Sequence, residues 1–98
     1  MDETTFSLDI RGRVQGVGYR WAMVSEARRL GLRGWVRNRP DGSVQALVAG
    51  PAAELQRLVD WARRGPQGAR VAGVEVEPAE GGSSAFADFA GFEQRPSG

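Results

Sequence analysis

Apolar and polar residues alternate over Phe6–Ile10, with apolar side chains at every second position. This period of two indicates a β-strand that buries one face. After a glycine-rich segment the period changes, because Met23, Ala27 and Leu30 recur at the spacing of one face of an α-helix. Gly31 follows them, and glycine is common just past the end of a helix. This part of the chain therefore predicts a strand, a glycine loop and a helix.

Two further strands are predicted on either side of a turn. The stretches Trp35–Arg39 and Ser43–Ala49 are strand-like, and the residues between them are Pro40, Asp41 and Gly42. Proline presets its own φ, aspartate favours turns, and glycine accepts a positive φ. We therefore expect the two strands to form a β-hairpin.

The remainder of the chain predicts another helix followed by strands. A second helix is expected to open at Gly50-Pro51, with the proline in its first turn, to carry an apolar face within Leu55–Ala62, and to end before Pro66. Valines alternate with glutamates in Val74–Glu77, which predicts a fourth strand. The segment 86–95 is poorly periodic, and within it a short last strand is expected at Phe92–Arg95.

The predicted order of elements is βαββαβ with one short additional strand. This is the order of ferredoxin-like folds, and it predicts an α+β sandwich with one antiparallel sheet and both helices on one face. A length of 98 residues fits a single domain over 1–98. Within that domain we expect a polar loop at 79–84 and loose termini at 1–4 and 96–98.

Composition removes several kinds of chemistry. The chain has no histidine and no cysteine, which excludes disulfides, Ser-His-Asp or cysteine catalysis, and zinc sites built from those ligands. Its 13 basic residues are all arginine, as is typical of a GC-rich genome, and 12 acidic residues leave a net charge of +1. That balance argues against a strong binder of nucleic-acid backbones.

The chain also carries no sign of a membrane or secretory segment. No apolar run approaches the roughly 20 residues that a membrane span requires. The first residues are acidic and polar, whereas a signal peptide opens with basic and then apolar residues. We therefore expect a cytoplasmic protein.

The glycine-rich loop is the strongest candidate for chemistry. Successive N–H groups in such a loop can form an anion-binding nest, and the following helix adds free amides and a partial positive charge. Arg20 adds a permanent planar cation suited to phosphate oxygens. The pattern predicts a phosphate cradle formed by Gln15, Gly16, Val17, Gly18, Tyr19 and Arg20. The alternative is a glycine connector with Arg20 solvated on the helix.

Asn38 is the second candidate, at the end of a predicted strand. Its side-chain amide can accept a hydrogen bond from a water while it donates to a phosphate oxygen. Asparagine also starts turns, and the residues alone leave both interpretations open. We expect the Tyr19 ring to pack, Trp21 and Trp35 to lie at a rim or in the core, and Asp41 to belong to the turn.

Together the two segments resemble a known family. VQGVGYR at Val14–Arg20 and GWVRNRPDG at Gly34–Gly42 are similar to the two signature stretches of the acylphosphatases, in the same order. The resemblance extends from Phe6 to about Arg95. It implies a ferredoxin-like α/β sandwich that hydrolyses the carboxyl–phosphate bond of acyl phosphates without a metal or cofactor.

The resemblance also implies a role for each candidate residue. Arg20 would hold the phosphate, Asn38 would position the attacking water, and the backbone amides from Gln15 to Arg20 would complete the cradle. A carboxylate leaves readily, so positioning and charge stabilisation can supply most of the catalysis. The expected partner is a small acyl phosphate, with no nucleic acid and no membrane, and the expected state is a monomer.

Two other functions share parts of this pattern. RNA-recognition modules have the same order of elements, but they carry stacking aromatics on their central strands, and Ser43–Ala49 has none. A non-catalytic anion-binding or regulatory module would keep the same cradle, so this alternative stays open. Gln94 departs from the family pattern, in which an aliphatic residue is more usual. We expect this departure to affect the packing of the last strand and not the site.

Overall fold

A computed structural model describes residues 3–79 and 91–96. In chain order its elements are β1 (Glu3–Arg13), α1 (Tyr19–Arg29), β2 (Arg33–Asn38), β3 (Val44–Pro51), α2 (Ala52–Arg64), β4 (Arg70–Pro78) and β5 (Phe92–Gln94). This confirms the predicted order βαββαβ followed by a short strand. Neither helix has the length and apolar character of a membrane-spanning helix.

Four strands form the antiparallel arrangement that the pattern predicts. β1 pairs with both β3 and β4, and β2 pairs with β3, always antiparallel. Both helices pack against the sheet, and one hydrophobic core lies between them and its inner face. The largest side chains buried there include Leu8, Ile10, Tyr19, Met23, Leu32, Leu55, Leu58 and Phe92.

The fifth strand makes the sheet mixed rather than wholly antiparallel. β5 runs parallel to β2 at the edge of the sheet, where Gly34 lies opposite Phe92 and Val36 opposite Gln94. The amide of Arg95 then donates to the carbonyl of Val36 at 2.8 Å. Phe92 is fully buried in the core, and this burial stabilises the pairing of the three-residue strand with β2.

Several boundaries differ from the predicted ones. Residues 1–4 were expected to be loose, but Glu3 and Thr4 already belong to β1 and pair with Pro51 and Gly50. β4 is also longer than the alternating stretch 74–77, because backbone pairing with β1 continues where the hydrophobic pattern does not. Most of the expected loop at 79–84, and the segment 86–90, lie outside the described residues.

The turn between β2 and β3 confirms the hairpin. The amide of Arg39 donates to the carbonyl of Ser43 at 2.9 Å and so closes the loop. Gly42 takes a φ of 92°, the positive value that the turn requires. This hairpin places the last residue of β2, Asn38, beside the start of α1.

Candidate active site

The loop between β1 and α1 takes its shape from two glycines. Gly16 and Gly18 have φ values of 76° and 77°, in the left-handed region. Residues with a side chain adopt this conformation only at a cost of roughly 1–2 kcal/mol. A Cβ atom at either position would meet nothing within 4 Å. Glycine is therefore required here by backbone conformation and not by lack of space.

Helix α1 begins directly after this loop without a side-chain cap. Gly18 is its N-cap residue, no side chain bonds to the first amides, and the first turn has no acidic residue. The first bond into the helix runs from the Ala22 amide to the Gly18 carbonyl at 3.0 Å. The amides of 19–21 precede that bond and have no partner within the helix. The helix end is therefore electropositive and can stabilise an anion.

A small pocket of about 150 Å³ opens at this helix end. Its described lining consists of Val14, Gly16, Gly18, Tyr19, Arg20, Trp21, Asn38 and Gln94. The structure thus brings Arg20 and Asn38 together, although 18 positions separate them in sequence. Two of the expected cradle residues, Gln15 and Val17, do not line the pocket; Val17 packs partly against the core.

Asn38 reaches this pocket from the end of β2. It lies two positions beyond the fully buried Val36, so both side chains belong to the face of the sheet that the helices cover. Its oxygen Oδ1 is buried and accepts no hydrogen bond from the described residues. An amide oxygen in this state has a strong preference for a donor, and a water O–H is the smallest one.

Arg20 is the one charged residue in the described lining of the pocket. It is half-buried, and within residues 3–79 and 91–96 its side chain takes part in no ion pair or hydrogen bond. The guanidinium is thus available to an anionic ligand. Its planar set of donors can grip two oxygens of a phosphate at once.

The Tyr19 side chain packs, as predicted, and only its backbone can serve the cradle. The ring is buried and lies 5.5 Å from the Trp61 ring, centroid to centroid. Its hydroxyl donates to the carbonyl of Ala62 at 2.8 Å. Burial raises the pKa of this hydroxyl above its ordinary value, so the ring is not an acid or base at neutral pH.

Trp21 and Gln94 also belong to the lining of the pocket. Trp21 is 69% exposed, which confirms a rim position. Gln94 also lines the pocket, a position that the sequence did not indicate. The register of β5 explains this position, because Gln94 lies opposite Val36 and therefore close to the end of β2 that carries Asn38.

Asp41 belongs to the turn and not to the pocket. Its Oδ1 accepts from the amide of Ser43 at 2.9 Å and from the Ser43 hydroxyl at 2.6 Å. These hydrogen bonds hold the pKa of the Asp41 carboxyl below its usual value, with smaller contributions from nearby arginines. A carboxylate of lowered pKa outside the pocket is not a candidate general base.

The side chain of Gln15 has a role that sequence reasoning missed. Its amide nitrogen donates to the carbonyls of Arg39 and Ser43, at 2.8 and 2.9 Å. No local pattern could indicate this contact, since its partners lie 24 and 28 residues further along the chain.

Comparisons with known proteins agree with the fold. The family model described as Acylphosphatase matches residues 6–92. A protein from Albidiferax ferrireducens named Acylphosphatase is 56% identical over 97 residues, which cover 99% of each chain. A second, from Azoarcus sp., is 55% identical over 89 residues, covering 91% of this chain and 86% of the relative.

The likeness extends to solved structures. The structure of an acylphosphatase from Coxiella burnetii matches with a TM-score of 0.85 and 31% identity, over 96% of this chain and 94% of that one. The fold is thus ferredoxin-like, with an electropositive pocket where the first loop meets the β2–β3 hairpin. The chain belongs to the acylphosphatase family.

Proposed function

We propose that this protein hydrolyses acyl phosphates, cleaving the carboxyl–phosphate bond to give a carboxylate and inorganic phosphate. The observation that carries the proposal is the convergence on one small pocket of an uncapped helix start, the guanidinium of Arg20 and the amide of Asn38. Family membership supports the same reaction. The amides at the start of α1 have no side-chain cap, and the Arg20 side chain has no partner among the described residues, so both are available to a ligand.

In this proposal the phosphoryl group sits in the cradle. The free amides of 19–21 and the Arg20 guanidinium would contact its oxygens, where negative charge is present in the substrate and spreads further in the transition state. The loop glycines keep the backbone in the conformation that allows this approach. Arg20 therefore contributes to binding and to turnover together.

Asn38 would position the attacking water. Its buried Oδ1 can accept a water O–H, which fixes the water oxygen close to the phosphorus. The new bond forms between that oxygen and phosphorus, and the bond between phosphorus and the acyl oxygen breaks with its electron pair on the carboxylate. As the family resemblance implies, the proton released by the water passes to a phosphate oxygen of the substrate.

The finer points of this assignment remain predictions from the sequence. They are a metal-free and cofactor-free reaction, a cytoplasmic location, a monomeric state, and no nucleic-acid or membrane partner. Any contact of Gln15 and Val17 with the phosphate is expected to come from their backbone amides, because neither residue is in the described lining of the pocket.

A comparison of Arg20→Ala with Asn38→Ala tests the two proposed roles. Hydrolysis of benzoyl phosphate in the presence of EDTA gives kcat and KM, and competition by inorganic phosphate gives its inhibition constant. Arg20→Ala should lose both phosphate affinity and turnover, and Arg20→Lys should not restore them fully because it lacks the planar fork. Asn38→Ala should lose kcat by a factor of about 100 or more while phosphate affinity changes little.

The matched control is Arg57→Ala, which removes one exposed arginine from α2, away from the pocket. It should keep wild-type kinetics. If Asn38→Ala instead loses phosphate affinity and keeps its kcat, Asn38 is a binding residue. A wild-type protein that binds phosphate but does not hydrolyse the substrate would point to the non-catalytic anion-binding alternative.

A further inference from the structure

The Gln15 side chain forms two hydrogen bonds, here called the Gln15 bridge. One amide nitrogen donates to the carbonyl of Arg39 at 2.8 Å and to the carbonyl of Ser43 at 2.9 Å. A primary amide has two N–H donors, so both are in use. The side chain is partly buried, which strengthens such bonds relative to those in open solvent.

The bridge joins the two chain segments that form the site. Gln15 directly precedes Gly16, which lines the pocket. Arg39 directly follows Asn38, and Ser43 directly precedes Val44, the register partner of Asn38. The bridge therefore ends on the two carbonyls at the base of the hairpin, at the level of Asn38.

In the described part of the chain, no other hydrogen bond joins the loop to the hairpin. The two Gln15 bonds are the hydrogen bonds found between residues 14–21 and residues 38–43. The hairpin is itself fixed internally, by the Arg39–Ser43 backbone bond and by Asp41. Without the Gln15 bonds, the distance between the loop and the hairpin base would be set only by packing and by the β1–β3 pairing that ends at Val44.

We propose that Gln15 is a positioning residue that sets the placement of Asn38 relative to the phosphate cradle. The inference rests on the proposed function for its kinetic consequence. A displacement of about 1 Å at a positioning group can lower turnover by about 100-fold. The loop amides and Arg20 lie on the other side of the bridge, so phosphate affinity should be nearly unaffected by its loss.

A double-mutant cycle tests this coupling. Gln15→Met keeps the length of the side chain and removes both donors, and we expect it to lower kcat by about 10- to 100-fold with little change in the phosphate inhibition constant. In an Asn38→Ala background the same substitution should change kcat by no more than about twofold, because its effect acts through Asn38. Fully additive losses would overturn the proposal, as would an unchanged kcat in Gln15→Met.

A second substitution and a matched control separate positioning from stability. Gln15→Glu places acceptors against two carbonyls and should reduce kcat at least as much as Gln15→Met. Gln56→Met removes a side-chain bond of the same kind, from Gln56 to Asp60 on the exposed face of α2, and should leave kinetics unchanged. If Gln56→Met and Gln15→Met lose equal stability and equal kcat, the effect is general destabilisation and the proposal fails.

A spectroscopic readout keeps the test independent of hydrolysis. Asn38 is the single asparagine of the chain, so labelling with 15N-asparagine gives one side-chain amide pair in an NMR spectrum. That pair should shift or broaden in Gln15→Met and not in Gln56→Met. If wild-type hydrolysis is absent, the proposed function fails, but a shifted Asn38 signal still supports the bridge. An unchanged Asn38 signal in Gln15→Met would refute the bridge whatever the kinetics.

Discussion

Asp41 stabilises the turn beside the site through its charge. Its carboxylate accepts two hydrogen bonds from Ser43, and these lower its pKa from the usual 3.8. A carboxyl whose pKa is lower in the folded state adds stability above its unfolded pKa, and loses it as pH falls through the folded value. The turn should therefore weaken in acid.

The corresponding variant is Asp41→Asn, which removes the charge and keeps the shape. It should have a lower thermal midpoint than the wild type at neutral pH, and the difference should shrink as pH falls below 3.8. Thermal unfolding of both proteins from neutral to strongly acidic pH measures this. Asp60→Asn on α2 is the control for the change of net charge. If Asp41→Asn lowers the thermal midpoint by the same amount as Asp60→Asn, and by the same amount at every pH, the proposed role of the Asp41 charge is contradicted.

Some site residues could be predicted from the sequence and others could not. The roles considered for Arg20 and Asn38 came from the glycine loop and from the resemblance, and the fold brings both side chains to one pocket. Gln15 and Gln94 could not be placed in this way. Their surroundings depend on long-range register, namely the hairpin base for Gln15 and the pairing of β5 with β2 for Gln94.

At the scale of elements, one hydroxyl ties the start of α1 to the end of α2. The carbonyl of Ala62 would normally accept from the amide four residues later, but that residue is Pro66, which has no N–H. The Tyr19 hydroxyl donates to this carbonyl instead. Because Pro66 cannot donate, the Ala62 carbonyl near the end of α2 is left to accept the Tyr19 hydrogen bond that holds the start of α1.

Tyr19→Phe should reduce the free energy of unfolding by about 1–2 kcal/mol, because a buried carbonyl loses its donor. The pKa of this hydroxyl is raised by burial, so its contribution is complete below 10.0 and is lost as pH rises beyond that value. Denaturant unfolding of both proteins at neutral and alkaline pH should show the gap narrowing in alkali. The single tyrosine of the chain allows its ionisation to be followed by absorbance. A gap that is constant with pH would contradict the proposed role of burial.

The elements themselves were predictable where periodicity was long. Apolar residues alternate over several positions of β1, and they recur at helical spacing over several turns of α2. The pattern alone therefore predicts that these two elements exist and which one is a strand and which a helix. The direction of β5 did not follow, because three residues carry too little pattern to select a neighbour. Its parallel pairing depends on the burial of Phe92 against α1 and β2, which is a property of the assembled core.

At the scale of the whole molecule, the proposed site contains no group that titrates near neutrality. The chain lacks histidine and cysteine, Asn38 is an amide that does not ionise, and guanidinium groups in proteins are not deprotonated. The second ionisation of a phosphate group has a pKa of about 6. We therefore expect kcat/KM between about pH 5 and pH 9 to follow one ionisation, that of the substrate.

Rate profiles with two acyl phosphates of different acidity measure this. The apparent pKa should move with the substrate and should be the same in wild type and Gln94→Ala. A second ionisation that stays fixed when the substrate changes would indicate a protein group in the chemistry, and the proposed proton path would then be wrong.

The position of β5 also determines how the sheet meets other chains. By pairing with Gly34–Val36, it covers three of the six residues of β2 on a side that would otherwise be an open edge of the sheet. The strands left at the two ends of the described sheet are β5, with three residues, and β4, which carries Glu75, Glu77 and Pro78. Short strands, charges and proline are the features by which proteins resist strand-by-strand addition of a neighbour. The segment that places Gln94 at the pocket thus also shortens the edge of β2 to which a neighbouring strand could pair.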